Sequence, residues 1–401
     1  MERADLIRLL GATPRLGEPR DVVVEACEPQ AFIDRFTEAV AVGGTVFLAD
    51  PAWGEQERAQ FNALVASDRR PPAAGGWLCI PTGGSSGNLK LARHDEETVS
   101  AAVNGFCAHF GVTRVNAIGL LPLYHVSGFM AWMRTVLTGG AYLPAAWRSV
   151  AGGERPPLTA NDGDWFLSLV PTQLQRMLGD REAEDWLRGF RGVFIGGGPA
   201  WPALVEAGAK ARLPLAFSYG MTETAAMVAA LRPAEFLDGR RGSGAALPHA
   251  ALGLDGEGRI IIEAESLFRG YWPETRQAGP WPTEDLGRFD EHGSLHVLGR
   301  RDALIITGGE KVDPGEVEAV LRSVGGLADV VVLGVPDAEW GEVVVACYPG
   351  DVDAALQTQP LETLAHYKRP KRYVAVPAAD WPRNAQGKVN RAALRARIGG
   401  A

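Results

Sequence analysis

Cysteine is scarce: four residues in 401, at positions 27, 79, 107 and 347, with no Cys-x-x-Cys pair among them. Such isolated thiols exclude a disulfide framework and a cysteine-based zinc site, and they make the reducing cytoplasm the expected compartment. Long apolar runs are also missing. The longest, Ala39 to Ala49, is broken by two glycines and Thr45, short of the ~18 apolar residues a membrane helix needs, so no membrane span is expected. Acidic residues interrupt the apolar stretch of Met1 to Leu10, where an export signal needs about 7–15 unbroken apolar residues; none is expected here. There is no dense basic block. Lys plus Arg at 40 against Asp plus Glu at 48 gives a net charge of −8, which argues against a nucleic-acid partner.

What is present is an ordinary globular composition, 46% hydrophobic and 22% charged, with Gly 49 and Pro 27 too few for a disordered or collagenous chain. The length suits two or three domains. From Thr45 to Tyr219, short apolar runs bounded by Gly or Pro alternate with helical patterns: Thr45 to Ala49, Trp77 to Ile80, Ala117 to Leu121, Phe166 to Val170, Gly192 to Ile195 and Leu215 to Phe217. This predicts an α/β fold whose large N-terminal domain has parallel-rich sheets and helices. After Gly242 the texture turns to short strands and hairpin turns, at Asp255 to Gly258 and Asp290 to Gly293. Asp313, Pro314 and Glu316 read as N-cap, first helical position and capping-box partner of a helix with Val317, Val320, Leu321 and Val324 on one face. Strands are expected at Asp329 to Gly334 and Glu342 to Ala346, completing a small α+β domain. The division predicted is 1–301 and 302–401.

Several segments carry groups suited to chemistry. Pro81 to Lys90 follows a strand and combines glycines at 83, 84 and 87 with the hydroxyls of Thr82, Ser85 and Ser86, the equipment for wrapping phosphate oxygens. It is not a Walker loop, because Lys90 does not follow the second glycine. Gly83, Ser85 and Gly87 do match the Gly-x-Ser-x-Gly elbow of hydrolases. That rival needs a helix immediately after Gly87, whereas helical pattern resumes only near Glu96. Ser218 to Glu223 places Thr222 and Glu223 where a parallel sheet binds ligands, the hydroxyl for a phosphate and the carboxylate for Mg²⁺. Gly196 to Pro199 offers a wall without side chains for a flat base, with Tyr219 available to stack. Asp285 could accept from ribose hydroxyls and Arg300 could donate to a sugar or phosphate. Near the C-terminus, Pro382 to Lys388 puts a lysine on a glycine-hinged loop.

Taken together and in this order, these segments, spanning about Trp77 to Arg391, resemble the adenylate-forming superfamily of acyl-CoA synthetases, luciferases and peptide-synthetase adenylation domains. Within it, Ile80 to Gly87 with Ala92 to His94, and Leu121 to Gly128, look like the short o-succinylbenzoate-CoA ligases of menaquinone and phylloquinone synthesis. The hydrolase reading falls away. The resemblance implies ATP, Mg²⁺ and coenzyme A as cofactors and co-substrates, and a small carboxylic acid as substrate. It implies that Thr82, Ser85, Ser86, Gly87 and Thr222 hold phosphates, that Gly197, Gly198, Ser218, Tyr219 and Gly220 frame adenine, and that Asp285 and Arg300 grip the ribose.

By the same resemblance Lys388 is the catalytic cation, Glu223 holds the metal, and Asp302 is the hinge of a mobile C-terminal lid. Rotation of the lid would bring Gly308 and Gly309 to a CoA channel, where a side chain would narrow the path. His125, Ser127, Gly128 and Thr224 are the candidates around the acyl group. Ser127, Thr224 or a water near His125 would serve as the polar handle for the carboxylate that is not activated. Three other functions stay open at this point: a CoA ligase for another aromatic or medium-chain acid, an adenylation module that loads a carrier protein, and a nucleotide-binding protein without activity. A homo-oligomeric assembly is compatible with all of them.

Overall fold

The computed structural model describes residues 1–15, 18–66, 76–83, 89–159, 163–198, 200–325, 327, 329–337, 339–350, 364–383 and 389–398. Among these, the strands form four sheets. The first runs Val22–Glu25, Val46–Ala49, Leu78–Gly83, Leu89–His94, parallel except for the last pair. The second has seven strands. Five parallel neighbours, Tyr142–Pro144, Val115–Gly119, Asp164–Leu169, Gly192–Ile195 and Leu215–Met221, are extended antiparallel by Ala226–Ala230 and Ala245–Ala246.

The apolar runs are continuous rather than alternating because this second sheet is covered on both faces. Val115, Phe166, Phe194 and Ala216 pack on one side with Phe106 and Phe110. Ile118, Leu167, Val193 and Leu215 pack on the other with Leu174, Leu187 and Leu204. The covering helices have clear boundaries. Asp95 accepts from the Thr98 N–H at 2.9 Å to start Glu96–Phe110, and Gly111 ends that helix at φ 66°. The last parallel strand reaches Met221, so Ser218, Tyr219 and Gly220 lie on it rather than in the loop after it.

The third sheet is antiparallel: Ala250–Leu254, Arg259–Ala264, Trp281–Phe289, Leu295–Arg300. Its first expected turn forms as read, with the Asp255 carboxylate accepting from the N–H groups of Glu257 and Arg259, both at 2.9 Å. The fourth sheet begins at Ile305–Thr307 and pairs Val331–Asp337 with Gly341–Pro349 beside the helix Pro314–Gly325. That helix starts where the sequence suggests, with Asp313 accepting from the Gly315 N–H at 2.9 Å. The expected capping box is not made. Glu316 turns to Lys368, 2.7 Å away, because a full cation offers a carboxylate more than a backbone N–H does. Ala319 packs against the second sheet's core, and the Arg322 guanidinium lies 5.0 Å from the Trp201 ring.

Three buried histidines make the fold sensitive to acid. Burial pushes His94, His109 and His249 each from 6.5 down to about 4. Between those values the unfolded chain binds protons that the folded one refuses, so stability falls as pH drops from about 6.5 towards 4. Each ring contributes up to about 1.4 kcal/mol per pH unit. Urea unfolding at pH 7.5, 6.5, 5.5 and 4.5 should give midpoints that hold steady above 6.5 and decline below it; a flat profile down to pH 5 contradicts this.

Candidate active site

The C-terminal ends of the parallel strands carry the loops on which the site is built, as expected for a sheet of this type. After Gly192–Ile195 the chain turns through Gly197, at φ 77°, a conformation that favours glycine. A Cβ at Gly198 would meet nothing within 4 Å, so the wall there is open. On the next strand, Leu215–Met221, the Tyr219 hydroxyl donates to Asp285 Oδ2 at 2.8 Å. Asp285 comes from the third sheet and stands opposite Arg300 in its register. Arg300 Nη1 is 3.4 Å from the second carboxylate oxygen. Burial and the charge of Asp285 both push the Tyr219 phenol up, so it stays protonated as a donor. Gly220 is required by contact: a Cβ would lie 1.9 Å from the Ala226 carbonyl oxygen on the neighbouring strand.

The short turn Thr222–Thr224 follows, and two side chains from elsewhere hold it. His94 Nε2 donates to the Thr222 carbonyl at 2.8 Å. Burial lowers His94 to about 4, so the ring is neutral and can be this donor near neutral pH. Tyr271 donates its hydroxyl to Glu223 Oε1 at 2.6 Å. Lys90 Nζ sits 4.8 Å from the centre of the Tyr271 ring, on the strand where Lys90 faces Thr82. Thr224 is fully buried; its hydroxyl accepts from the Met221 N–H at 2.9 Å and donates to the Ala226 carbonyl at 2.6 Å. That commitment leaves it no hydroxyl for a ligand. In this structure Thr224 shapes the turn.

On the other side of the helix Val126–Thr138, His125 stands at the N-cap with Nε2 3.6 Å from Asp50 Oδ2. Asp50 is 4% exposed, at the end of Val46–Ala49, and accepts from the Ala52 N–H at 2.8 Å. Burial raises the Asp50 carboxyl, but the facing His125 ring, the Ala52 N–H and Tyr124 outweigh it and hold the group below its usual value. A Cβ at Gly128 would lie 2.2 Å from the Pro122 carbonyl oxygen, so only glycine fits there. Ser127 is half-buried, and no hydrogen bond of its hydroxyl is found among the described residues. A cavity of about 680 Å³ opens beside this loop, lined by Cys27, Tyr124, Trp147, Gln173, Arg176 and Arg383 among others. It adjoins the His125 loop rather than the Tyr219–Asp285 pair.

The structure thus brings Tyr219, Asp285 and Arg300 together, and fixes Thr222 and Glu223 beside them on the same strand end. Gly308 and Gly309 form the turn before Glu310–Val312, at φ 58° and 84°, with a Cβ at Gly308 blocked by the Trp340 ring at 2.8 Å. Asp302 lies in the 3-10 turn Arg301–Ala303. Ser85, Ser86, Gly87 and Lys388 lie outside the described residues. Three positioning residues escaped the motif reading: His94, Tyr271 and Asp50. The sequence held a signal only for His94, which ends the segment Ala92 to His94.

Comparison with known proteins matches residues 15–272 to the AMP-binding enzyme family and residues 316–388 to the AMP-binding enzyme C-terminal domain. The 2-succinylbenzoate–CoA ligase of Geobacillus kaustophilus is 37% identical over 303 residues, covering 69% of this chain and 60% of that protein. The enzyme of the same name from Listeria monocytogenes serotype 4b is 33% identical over 287 residues, again 69% and 60%. The chain therefore matches about three-fifths of the length of these relatives. Among solved structures, o-succinylbenzoate CoA synthetase from Bacillus subtilis in complex with the acyl-adenylate intermediate OSB-AMP aligns with a TM-score of 0.79 at 22% identity, over 100% of this chain and 91% of that one. ATP-bound MatB from Rhodopseudomonas palustris aligns at 0.77 and 24% identity, over 99% and 92%. These likenesses carry the fold.

The pairing of Tyr219 with Asp285 can be weighed directly. Tyr219→Phe keeps the ring and removes a hydrogen bond to a buried carboxylate, an interaction contributing about 1.5–3 kcal/mol. The urea midpoint should fall accordingly, with an unchanged denaturant slope. A loss below about 0.5 kcal/mol, the low end of ordinary hydrogen-bond contributions, would mean that water serves Asp285 equally well.

Proposed function

The chain belongs to the AMP-binding enzyme family, and on that premise we propose that it is an ATP-dependent o-succinylbenzoate-CoA ligase. It activates one carboxylate as an acyl-adenylate with release of pyrophosphate, then passes the acyl group to the thiol of coenzyme A. The observation that carries the reading is the Asp285 carboxylate, held by Tyr219 and Arg300 at 8% exposure. A carboxylate has about four acceptor positions, and two donors leave room for the hydroxyl pair of a ribose. The long Arg300 contact is the one a sugar would share or displace. The names of the relatives support the choice of acid.

The division of labour follows from charge. Attack of a carboxylate on the α-phosphate of ATP joins two anions, so a cation must sit where charge develops. Lys388 takes that role, a compact ammonium able to reach the attacking oxygen and the phosphate. Thr82, Ser85, Ser86, Gly87 and Thr222 hold phosphate oxygens; Gly197, Gly198, Ser218, Tyr219 and Gly220 frame the base. Mg²⁺ fits Glu223, since a hard cation uses one or two carboxylates plus substrate phosphates and no cluster of three ligating side chains is found among the described residues. When bound it neutralises the departing pyrophosphate. Tyr271 keeps the Glu223 carboxylate aimed.

His125, Ser127 and Gly128 border the acyl group. With the Thr224 hydroxyl spent on its turn, Ser127 becomes the handle for the second carboxylate. We place the large domain at 1–301 and the mobile lid at 302–401, turning about Asp302 so that Gly308 and Gly309 replace Lys388 for thiol attack. The reaction belongs in the cytoplasm, where its co-substrates are.

ATP–pyrophosphate exchange tests the reading with o-succinylbenzoate, benzoate, coumarate and octanoate side by side. Exchange with o-succinylbenzoate should exceed the others at least about tenfold, a pocket-level discrimination. Another acid in front replaces the substrate; exchange with none removes the enzyme. Lys388→Ala should slow adenylate formation about 10²–10³-fold, the usual cost of deleting a transition-state donor. Free CoA should outcompete a pantetheine-bearing carrier protein as acceptor. Ser127→Ala should raise KM for o-succinylbenzoate more than for benzoate, and equal changes for the two acids would withdraw the handle assignment.

A further inference from the structure

Well inside the molecule, the helix Val126–Thr138 presses Arg134 against the second sheet. Arg134 is 4% exposed. Its guanidinium lies 4.3 Å from the centre of the Phe106 ring and 6.0 Å from that of Phe194. Neither a hydrogen bond nor an ion pair to this guanidinium is found among the described residues, and its Nε is buried without a partner. His249 is buried alongside with both ring nitrogens unpartnered, packed so tightly on Gly105 that a Cβ there would stand 1.8 Å from Nδ1. A small cavity lies beside Arg134, with about 10 Å³ of room for the centre of a water-sized sphere. Ala131, Phe166, Ser168 and Phe194 share its wall with Arg134.

Charge is unbalanced here. Burial lowers Arg134 to about 10, still cationic near neutral pH, with only the Cys107 thiol acting to raise it. That thiol is itself pushed up by burial and is neutral. His249, lowered to about 4 by burial and by Arg134, is neutral too. Among the described residues no carboxylate pairs with Arg134. Two ring faces stabilise a cation in part, yet a buried charge without a counter-ion is costly. One water could satisfy donors but could not neutralise the charge. The room matches a single small sphere.

We propose that this cavity is a binding site for a small monovalent anion of the halide class, held by the Arg134 guanidinium with Ser168 in the same wall. The site stands apart from the adenylation residues and does not depend on the activity proposed above. An anion there ties the helix that follows the His125 loop to the strands Asp164–Leu169 and Gly192–Ile195, whose ends carry the substrate loops.

Thermal unfolding at constant ionic strength, with potassium gluconate exchanged stepwise for chloride or bromide, reads the site. Above the dissociation constant, Tm should rise by about 1–2 °C for each tenfold increase in halide, and sulfate should give no rise. Arg134→Met should abolish the halide response. A crystal soaked in bromide should show an anomalous peak in the cavity, and this wild-type measurement decides the matter if the variant does not fold. A Tm indifferent to halide, an equal response in Arg134→Met, or a cavity holding only water in the bromide crystal would each overturn the proposal.

Discussion

A carboxylate that is almost out of water, Asp285, is the group on which the arrangement depends. At 8% exposure it needs donors, and it finds them on two different elements, the Tyr219 hydroxyl of the second sheet and the Arg300 guanidinium of its own sheet. The bond to Tyr219 therefore fixes the third sheet against the second as well as orienting the carboxylate. Stability and site geometry share one interaction. A buried carboxylate with fixed donors is also preorganised, so a ligand's hydroxyls would meet an acceptor that needs no rearrangement.

The adjoining turn follows the same logic with donors in place of an anion. Residues 222–224 lead into Ala225 and Ala226 at φ 49° and 82°, a left-handed stretch that non-glycine residues rarely adopt. Such backbone persists where its surroundings over-determine it. Here they do: His94 grips the Thr222 carbonyl, Thr224 closes the turn on itself, and the Glu223 carbonyl accepts from the Phe268 N–H at 2.8 Å. Tyr271, three residues beyond Phe268, then takes the Glu223 side chain. One loop from the third sheet's edge thus holds both the backbone and the carboxylate of the same residue.

These long-range partners mark where the sequence stopped being readable. The strands were legible because apolar runs bounded by Gly and Pro have few alternatives, and the family was legible because several motifs occur in one order. The donors were not. His94 lies 128 positions from Thr222, Tyr219 lies 66 from Asp285, and Tyr271 lies 48 from Glu223; only the fold decides such pairings. Local rules failed for a related reason at Glu316, where the capping-box spacing was correct and Lys368, 52 residues away, competed successfully. A threonine beside a site looks the same in sequence whether its hydroxyl faces a ligand or, as at Thr224, bonds its own backbone.

Under the proposed reading the strand Val46–Ala49 of the N-terminal sheet, silent in the motifs, bears on the acyl side. Asp50 places an anion 3.6 Å from His125 Nε2 and is held ionised in a buried position. A substrate carboxylate approaching that edge of the ring would meet like charge at low dielectric, where repulsion is strong. His125 is therefore better suited to be oriented by Asp50, with Nδ1 left for the opposite side, than to receive a second anion through Nε2. Under the proposed reading this divides the work. The Asp50–His125 pair sets the position and polarity of the loop, and the hydroxyl of Ser127, at the second turn position of the helix that His125 starts, is left to distinguish a dicarboxylic acid from a simple one.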